Sequence, residues 1–219
     1  MSTFPNSPKI LKGGIVLIDP DTSAVLRTIV LQYNPDGLTR TLQAHAIGPE
    51  PGDRLEALRL KGPPAETIKL DAEIDATDQL AETQPSTTVT QYGIHPQLAT
   101  LETLIYPTSA QLIAIDQQSA MGTLEIAPMQ APLAVFVWSQ VRVLPVRLTD
   151  FSVTEEAFDT NLNPIRAKVS LSMRVLTIDD LGFQHKGGNL FLAYLQRKEQ
   201  LVGLAGGGSF SAFGITGIP

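Results

Sequence analysis

Two segments of the chain alternate strictly between apolar and polar residues. Residues 66–75 and 165–178 place apolar side chains at nearly every second position. A β-strand with one buried face has this period, because successive side chains point to opposite sides of the sheet. The pattern predicts two strands whose polar faces carry Thr67, Lys69, Asp71 and Glu73 in the first, and Lys168, Ser170, Ser172 and Arg174 in the second.

Other apolar segments also carry strand signals, since they are rich in β-branched and aromatic residues. They occupy residues 14–18, 25–31, 54–61, 133–143 and 146–154. Asp19 and Pro20 lie between the first two and predict a β-hairpin, because aspartate accepts hydrogen bonds from the amides that follow it and proline fixes its own φ angle. Pro145 is expected to separate the last two, because proline lacks the N–H group that a central strand uses.

Helical spacing appears twice. A stripe of apolar residues after Pro96 predicts a helix that buries Leu98, Leu101, Leu104 and Ile105. A second, C-terminal helix is predicted with Asn189 as its N-cap. The polar stretch 77–94 is predicted to be a loop insertion, and the short apolar runs 112–115 and 124–126 fit either helix or strand.

These elements predict a mainly β protein of the α+β class, an antiparallel barrel or sandwich with one internal helix and a C-terminal helix. The chain divides into an N-terminal arm (1–12), a β domain (13–180) and a C-terminal helix with a glycine-rich tail (181–219). A flexible segment with spaced apolar residues is suited to binding a neighbouring surface. We therefore expect partner docking by Phe191, Tyr194, Leu195, Phe210 and Phe213.

Composition narrows the class of protein. Only 17% of the 219 residues are charged and 43% are hydrophobic, which indicates a surface that other subunits partly cover. The net charge of -6 argues against nucleic-acid binding, because nucleic-acid binders neutralise phosphates with clustered Lys and Arg. The first eight residues lack the pattern of a secretory signal, and no apolar run is long enough to span a bilayer, so we expect cytoplasmic synthesis and no membrane insertion.

Residues suited to catalysis or metal binding are sparse. The chain has no cysteine, and His45, His95 and His185 each lack a partner at ligand spacing, so no metal or cofactor is predicted. Glu155 and Glu156 are adjacent, and adjacent strand residues point to opposite faces, so they do not converge as a catalytic pair. The G-x-S-x-G and P-loop patterns do not occur. We therefore expect no enzymatic activity.

Phe136 and Trp138 are the aromatic residues of the most apolar segment. Because they are two positions apart, they share one face of a strand, and core packing is the favoured interpretation. A carbohydrate- or peptide-binding β module is kept as a minor alternative. An exposed Trp138 would favour that module, whereas a buried one would favour the core.

Several of these features follow one another in a fixed order. They are Tyr33-Asn34-Pro35 after the first strand pair, residues 38–42, the strand, Gly/Pro turn and alternating strand of residues 58–74, the Trp-containing segment 131–138, and residues 148–158 and 162–173. Over residues 12–175 this order resembles the tube-protein family of contractile injection systems, which includes baseplate adaptor and tube-initiator subunits. Each motif is common by itself, and the order and spacing carry the resemblance.

The resemblance implies a fold of the phage tail-tube type and a hexameric ring around a channel. It implies an adaptor that joins the inner tube to the baseplate and initiates tube assembly, with the inner-tube protein, the spike or hub and other baseplate proteins as partners. The eight polar strand residues named above would face the lumen or a neighbouring subunit. A stacked inner-tube subunit is the alternative, and whether the particle is cytoplasmic, membrane-anchored or released is left open.

Overall fold

One antiparallel sheet forms the body of the protein. The computed structural model describes residues 10–45, 59–120 and 131–218. Its strands are β1 (Gly14–Ile18), β2 (Val25–Val30), β3 (Leu38–Gln43), β4 (Ala65–Asp75), β5 (Leu133–Ser139), β6 (Arg142–Phe158) and β7 (Pro164–Val175). They form a single seven-stranded sheet in the order β2-β1-β5-β6-β7-β4-β3, and neighbouring strands run antiparallel.

Helices follow β4 and β7. Between β4 and β5 lie α1 (Thr77–Leu80), α2 (Thr87–Tyr92), α3 (His95–Glu102) and α4 (Ser109–Ala120), and after β7 come α5 (Ile178–Leu181) and α6 (Lys186–Leu204). A short 3₁₀ helix at Phe210–Phe213 lies in the C-terminal tail.

The predicted α+β class is confirmed, whereas a closed barrel is not found. In the described ranges the sheet is open, with β2 and β3 as its edges. The predicted single internal helix is also wrong, since the described part of the connection between β4 and β5, residues 76–120, contains four helices. Residues 77–94 contain two of them, and Val89 and Ile94 of this stretch are buried in the core. Such short, mostly polar helices give too little periodic signal to be recognised in the sequence.

The alternating strands β4 and β7 form the centre of the core. In register, Ile68 lies opposite Met173 and Leu70 opposite Leu171, and all four side chains are at most 4% exposed. Full burial of such a side chain contributes roughly 1.5–3 kcal/mol. Helices α3 and α6 add Leu98, Leu101, Phe191 and Tyr194 to the same cluster.

The predicted first hairpin is confirmed as β1 paired with β2. In its turn the Asp19 carboxylate accepts hydrogen bonds from the backbone N–H groups of Thr22 (2.7 Å) and Asp21 (3.0 Å). These bonds, chiefly the one from Thr22, hold the pKa of Asp19 below its usual range. The turn is therefore formed by the residue that the sequence indicated.

Pro145 lies inside β6 and does not separate two strands. The carbonyl of Pro145 accepts a hydrogen bond from the Leu176 N–H (2.9 Å), beyond the last register pair between Val146 and Val175. Because the N–H and C=O of one residue point to the same side in an antiparallel ladder, the missing N–H faces the end of β7. The β5–β6 ladder loses no hydrogen bond to this proline, so β6 continues through it.

The C-terminal helix begins earlier than predicted. His185 is its N-cap in place of Asn189, and the His185 Nδ1 accepts a hydrogen bond from the Gly187 N–H (3.1 Å). Gly188 lies in the first turn, where a Cβ atom would come within 2.0 Å of the Gly182 carbonyl oxygen. Close packing of α6 against the end of α5 therefore requires glycine at this position, which helical periodicity alone does not reveal.

Some predicted segments fall outside the described residues. They are the first nine residues of the arm, residues 54–58 of the strand predicted at 54–61, and the run 124–126. At the described end of the 54–61 segment, the Lys61 N–H donates to the His45 carbonyl (2.8 Å). The run 112–115, whose type was left open, lies in α4.

One side chain links the end of the edge strand β2 to the end of β4. The Gln32 amide, just beyond β2, donates to the Asp75 carbonyl (2.6 Å) and accepts from the Asp75 N–H (3.1 Å). It thus bonds to the end of β4 as the backbone of a neighbouring strand would. Asn34 makes the same kind of double contact ahead of β1, since it accepts from the Gly13 N–H (2.9 Å) and donates to the Leu11 carbonyl (2.8 Å).

Replacing Gln32 by leucine removes both bonds to Asp75 while keeping the side chain's size. We expect the free energy of unfolding to fall by about 1–3 kcal/mol, because the backbone N–H and C=O of Asp75 lose their partner. Gln196→Leu on the exposed side of α6 is the control and should change it by less than about 0.5 kcal/mol. Urea denaturation measures both, and equal effects would contradict a specific role for Gln32.

Candidate assembly surface: a polar sheet face with two free edges

The unequal lengths of β5 and β6 leave part of β6 uncovered. β5 pairs with β6 only over residues 142–146, whereas β7 pairs with it from Val146 to Phe158. On the β5 side, residues 147–158 of β6 therefore have no strand partner in the described structure. At the other end of the sheet β3 is an edge strand. Strands β6, β7, β4 and β3 thus form a four-stranded sheet with two free edges, that is, edges without a strand partner among residues 10–45, 59–120 and 131–218.

The eight polar residues predicted on β4 and β7 lie together on one face of this four-stranded sheet. The register pairs them across the strands: Thr67 with Arg174, Lys69 with Ser172, Asp71 with Ser170 and Glu73 with Lys168. Ser172 is buried at 8% exposure and Thr67 and Arg174 are half-buried, while the side chains exposed to solvent are Lys69, Asp71, Glu73, Lys168 and Ser170. Their assignment to a lumen or an interface stays a prediction.

The same face extends onto both flanking strands. It includes Thr39 and Thr41 on β3 and Asp150, Ser152 and Thr154 on β6. These five residues were not predicted from the sequence. On β3 the alternation spans only six residues, which is too short to distinguish from a loop. On β6 a bulge between Leu148 and Asp150 shifts the register and breaks the period of two.

Two cations on the polar face form ion pairs within the chain. Arg166 donates to Asp75 (2.8 Å), and Lys168 lies 2.9 Å from Glu156. The hydrogen-bonded carboxylates raise the pKa of Arg166 and of Lys168 above their usual values. A face built from such pairs presents no extended field of one sign to a neighbouring molecule or to the contents of a channel.

A buried carboxylate ties α6 to the β3 edge. Glu66 is 3% exposed, accepts a hydrogen bond from the Arg40 Nε (2.7 Å) and lies 3.4 Å from the Lys198 Nζ. Arg40 also donates to the Tyr194 hydroxyl (2.9 Å), and the Lys198 ammonium lies 4.1 Å from the centre of the Tyr194 ring. Two cations and one carboxylate therefore join β3, β4 and α6, and each cation also contacts the same tyrosine.

Glu66→Gln tests this anchor. The neutral amide cannot serve both cations, so we expect the free energy of unfolding to fall by about 1–3 kcal/mol. Proteolysis within α6 by trypsin should become faster, because Arg197 and Lys198 lie on that helix. Glu73→Gln, on the exposed polar face, is the matched control and should leave both readouts nearly unchanged. Unchanged stability in Glu66→Gln would contradict the anchoring role.

The residues predicted to dock a partner divide into two groups. Phe191 and Tyr194 are each 6% exposed and pack in the core of their own chain, which corrects the expectation that they face a partner. The reason is that the apolar side of α6 covers the sheet. Leu195, Phe210 and Phe213 are 38%, 49% and 76% exposed, and their docking role stays a prediction.

The aromatic pair of β5 packs within the protein. The rings of Phe136 and Trp138 stack with centroids 5.9 Å apart and an interplanar angle of 22°. Phe136 is 1% exposed, and the half-buried Trp138 lies against Gly13, where an added Cβ would come within 2.6 Å of the indole. This packing favours a core role over a carbohydrate-binding platform.

The adjacent glutamates Glu155 and Glu156 of β6 have different surroundings. Glu156 pairs with Lys168, while Glu155 lies opposite the buried Ala167 in register. A depression of about 610 Å³ on the polar face is lined by Asp36, Asp71 and Asp150, among others. Across residues 10–45, 59–120 and 131–218, no group of three His, Cys, Asp or Glu side chains is arranged to hold a metal ion.

Among the helices that the structure describes, none combines the length and apolar character that crossing a bilayer requires. No protein-family model matches the chain, and no curated protein matches it. The function proposed below therefore rests on the two free strand edges and the polar face.

Proposed function

We propose that this protein is a structural, non-enzymatic subunit that joins copies of itself edge to edge into a closed ring. The observation that carries the proposal is the pair of free edges on the sheet β6-β7-β4-β3. Because its strands alternate in direction, β3 and β6 run in opposite directions. In a ring generated by rotation, β3 of one copy therefore meets the uncovered part of β6 of the next in antiparallel orientation.

Ring closure accounts for two strand edges that are a liability in an isolated chain. A free edge presents unpaired N–H and C=O groups, which template uncontrolled addition of further strands. When each β3 edge pairs with a β6 edge around a closed ring, every copy uses both of these edges, and neither is left open at the end of a row of subunits. Specific closure of this kind satisfies the same backbone groups that would otherwise promote aggregation.

The hydrogen bonds at the end of β4 show which backbone groups of β3 point away from β4. Asp75 directs its N–H and C=O toward Gln32, away from β7. The β4 register has no bulge, so the backbone groups of Thr67 face the same side and bond with Thr41 of β3. The next residue, Leu42, therefore directs its N–H away from β4 and toward a neighbouring copy.

In the proposed ring the polar face lines the channel. Helices α3 and α6 bury their side chains against the apolar face, so they would lie on the outside. Six copies, the number that the tube-family resemblance implies, would supply about 24 strands, and barrels of roughly 16–18 strands already enclose an aqueous channel. The paired charges of the polar face would then be in contact with whatever passes through.

The resemblance to the tube-protein family supports a place at the base of an inner tube. An adaptor ring there would start tube polymerisation on one side and hold the spike or hub and other baseplate proteins on the other. Helix α6 and the tail lie outside the four-stranded sheet and expose Leu195, Phe210 and Phe213 to such partners. A stacked inner-tube subunit is the second candidate, and this exposed apolar extension favours the adaptor.

Leu42→Pro tests the edge contact directly. Proline removes the outward N–H of β3 without removing a bond of the β3–β4 ladder, so the single chain should still fold. We expect negative-stain images to show rings of about six copies for the wild-type protein, with a matching sedimentation coefficient, and no rings for the variant.

Val30→Pro is the matched control for this experiment. The Leu31 N–H bonds to the Gly13 carbonyl (3.0 Å), so the preceding Val30 directs its N–H away from β1. Because β2 is outside the four-stranded sheet, rings should persist in this variant. Leu42→Lys, which places a charge on the same edge, is the second variant in case proline lowers thermal stability. Rings that persist in both Leu42 variants would overturn the proposed contact.

A further inference from the structure

A cleft of about 380 Å³ separates β2 from β4 where the sheet curls back on itself. Residues 28–32 form one wall and residues 72–74 the other. Helix α3 forms the floor with Pro96, Gln97, Thr100 and Leu101. The cleft thus lies between two strands of the same sheet that do not pair with each other.

Both walls of the cleft are strand edges without a partner in the described structure. β3 covers β4 only as far as Leu70, which leaves residues 71–75 uncovered on that side. On β2, the Leu31 N–H bonds toward β1. Because the backbone groups of successive strand residues point to alternate sides, those of Thr28 and Val30 point away from β1 and into the cleft. Only one end is filled, by the Gln32 amide bonded to Asp75. An extended segment of polypeptide is the ligand that matches two facing strand edges.

The floor of the cleft also holds an unsatisfied acceptor. The Gln97 Oε1 is buried and has no hydrogen-bond partner among the described residues. A buried acceptor without a donor carries a desolvation penalty, so a ligand that brings an N–H group into the cleft would be favoured there. This observation is independent of the strand edges and indicates a ligand that carries hydrogen-bond donors.

The C-terminal tail has matching chemistry. Residues 205–218 contain no charged side chain, and Glu73 is the charged residue among those that line the cleft. The β-branched residues of the tail favour an extended backbone. Its apolar side chains are exposed, with values of 76% for Phe213, 45% for Ile215 and 80% for Ile218.

Helix α6 carries the tail away from its own sheet. Lys198 still contacts Glu66 of the sheet, and the helix continues to Leu204, about 9 Å farther along its axis. On this extension Leu201, Val202 and Leu204 are 43%, 71% and 80% exposed. Gly206, Gly207 and Gly208 then form a flexible tether. A tail presented in this way is placed to reach a second copy of the chain.

We propose that the tail of one copy binds as an added strand in the β2–β4 cleft of another copy. Residues 214–218 would pair with the free edges of β2 and β4, bring a donor to the Gln97 Oε1 and remove Ile215 and Ile218 from water. The contact uses neither β3 nor the uncovered part of β6. It would therefore link copies separately from the ring contact proposed above.

Disulfide trapping tests the exchange, because the chain has no native cysteine. Full-length Thr100→Cys and an affinity-tagged Ile215→Cys would be mixed in equal amounts and mildly oxidised, and the mass of the mixed dimer identifies it. Thr90→Cys is the matched control. Thr90 and Thr100 both lie on helices and donate their hydroxyls to a carbonyl of the preceding turn, but Thr90 is outside the cleft.

We expect at least a fivefold higher yield of the mixed dimer with Thr100→Cys than with Thr90→Cys, and loss of it with an excess of a synthetic peptide of residues 209–218. Equal yields from the two variants would overturn the proposal. So would a double variant, Thr100→Cys with Ile215→Cys, that forms its disulfide within one chain at high dilution. Gln97→Cys replaces Thr100→Cys if the latter melts earlier than the wild-type protein.

The test also separates this contact from the ring. In the Leu42→Pro background the mixed dimer should still form, because the β3 edge takes no part in it. With an intact β3 edge, trapping without rings would refute the ring contact alone, and rings without trapping would refute the tail exchange alone.

Discussion

The mismatch in length between β5 and β6 is the constraint on which the proposed assembly depends. β5 ends after seven residues, while β6 continues to seventeen and keeps its pairing with β7. Where β5 ends, the seven-stranded sheet becomes a four-stranded one with an edge on each side. In a sheet of four antiparallel strands, the two edge strands run in opposite directions. Copies related by rotation would therefore place these edges side by side in antiparallel orientation. An odd number of strands would bring parallel edges together.

Alternation along β4 and β7 gives the four-stranded sheet its two different faces. The apolar side chains pack against α3 and α6, whereas the polar face is left open and carries the ion pairs Arg166–Asp75 and Lys168–Glu156. Glu66 lies on the apolar face of β4. There Arg40 and Lys198 neutralise its charge and hold α6 beside the edge strand β3. The helix that projects beyond the body is thus anchored beside the strand that is proposed to meet the next subunit.

Sequence reasoning succeeded where structure is local. The period of two in β4 and β7, the Asp19 turn and the stripe of α3 each depend on residues close together in the chain. The ion-pair partners of Glu66 are far from it in the chain, since Arg40 and Lys198 are 26 and 132 positions away. The sequence indicated the cluster around Glu66 only by a carboxylate at an apolar-face position of a predicted strand. The prediction for Pro145 was wrong because a strand accepts proline only where the missing N–H would not take part in the ladder. Which side of β6 the nitrogen of Pro145 faces is determined only by the fold.

Copy number in an assembled particle tests the central claim most directly. The protein would be quantified by mass spectrometry in a sedimented particle fraction from its native host, relative to the sheath and tube subunits of the same particles. The account predicts about six copies per particle, as a single closed ring requires. A copy number equal to that of the sheath would indicate the stacked tube subunit instead, and absence of the protein from the particles would contradict an assembly role altogether.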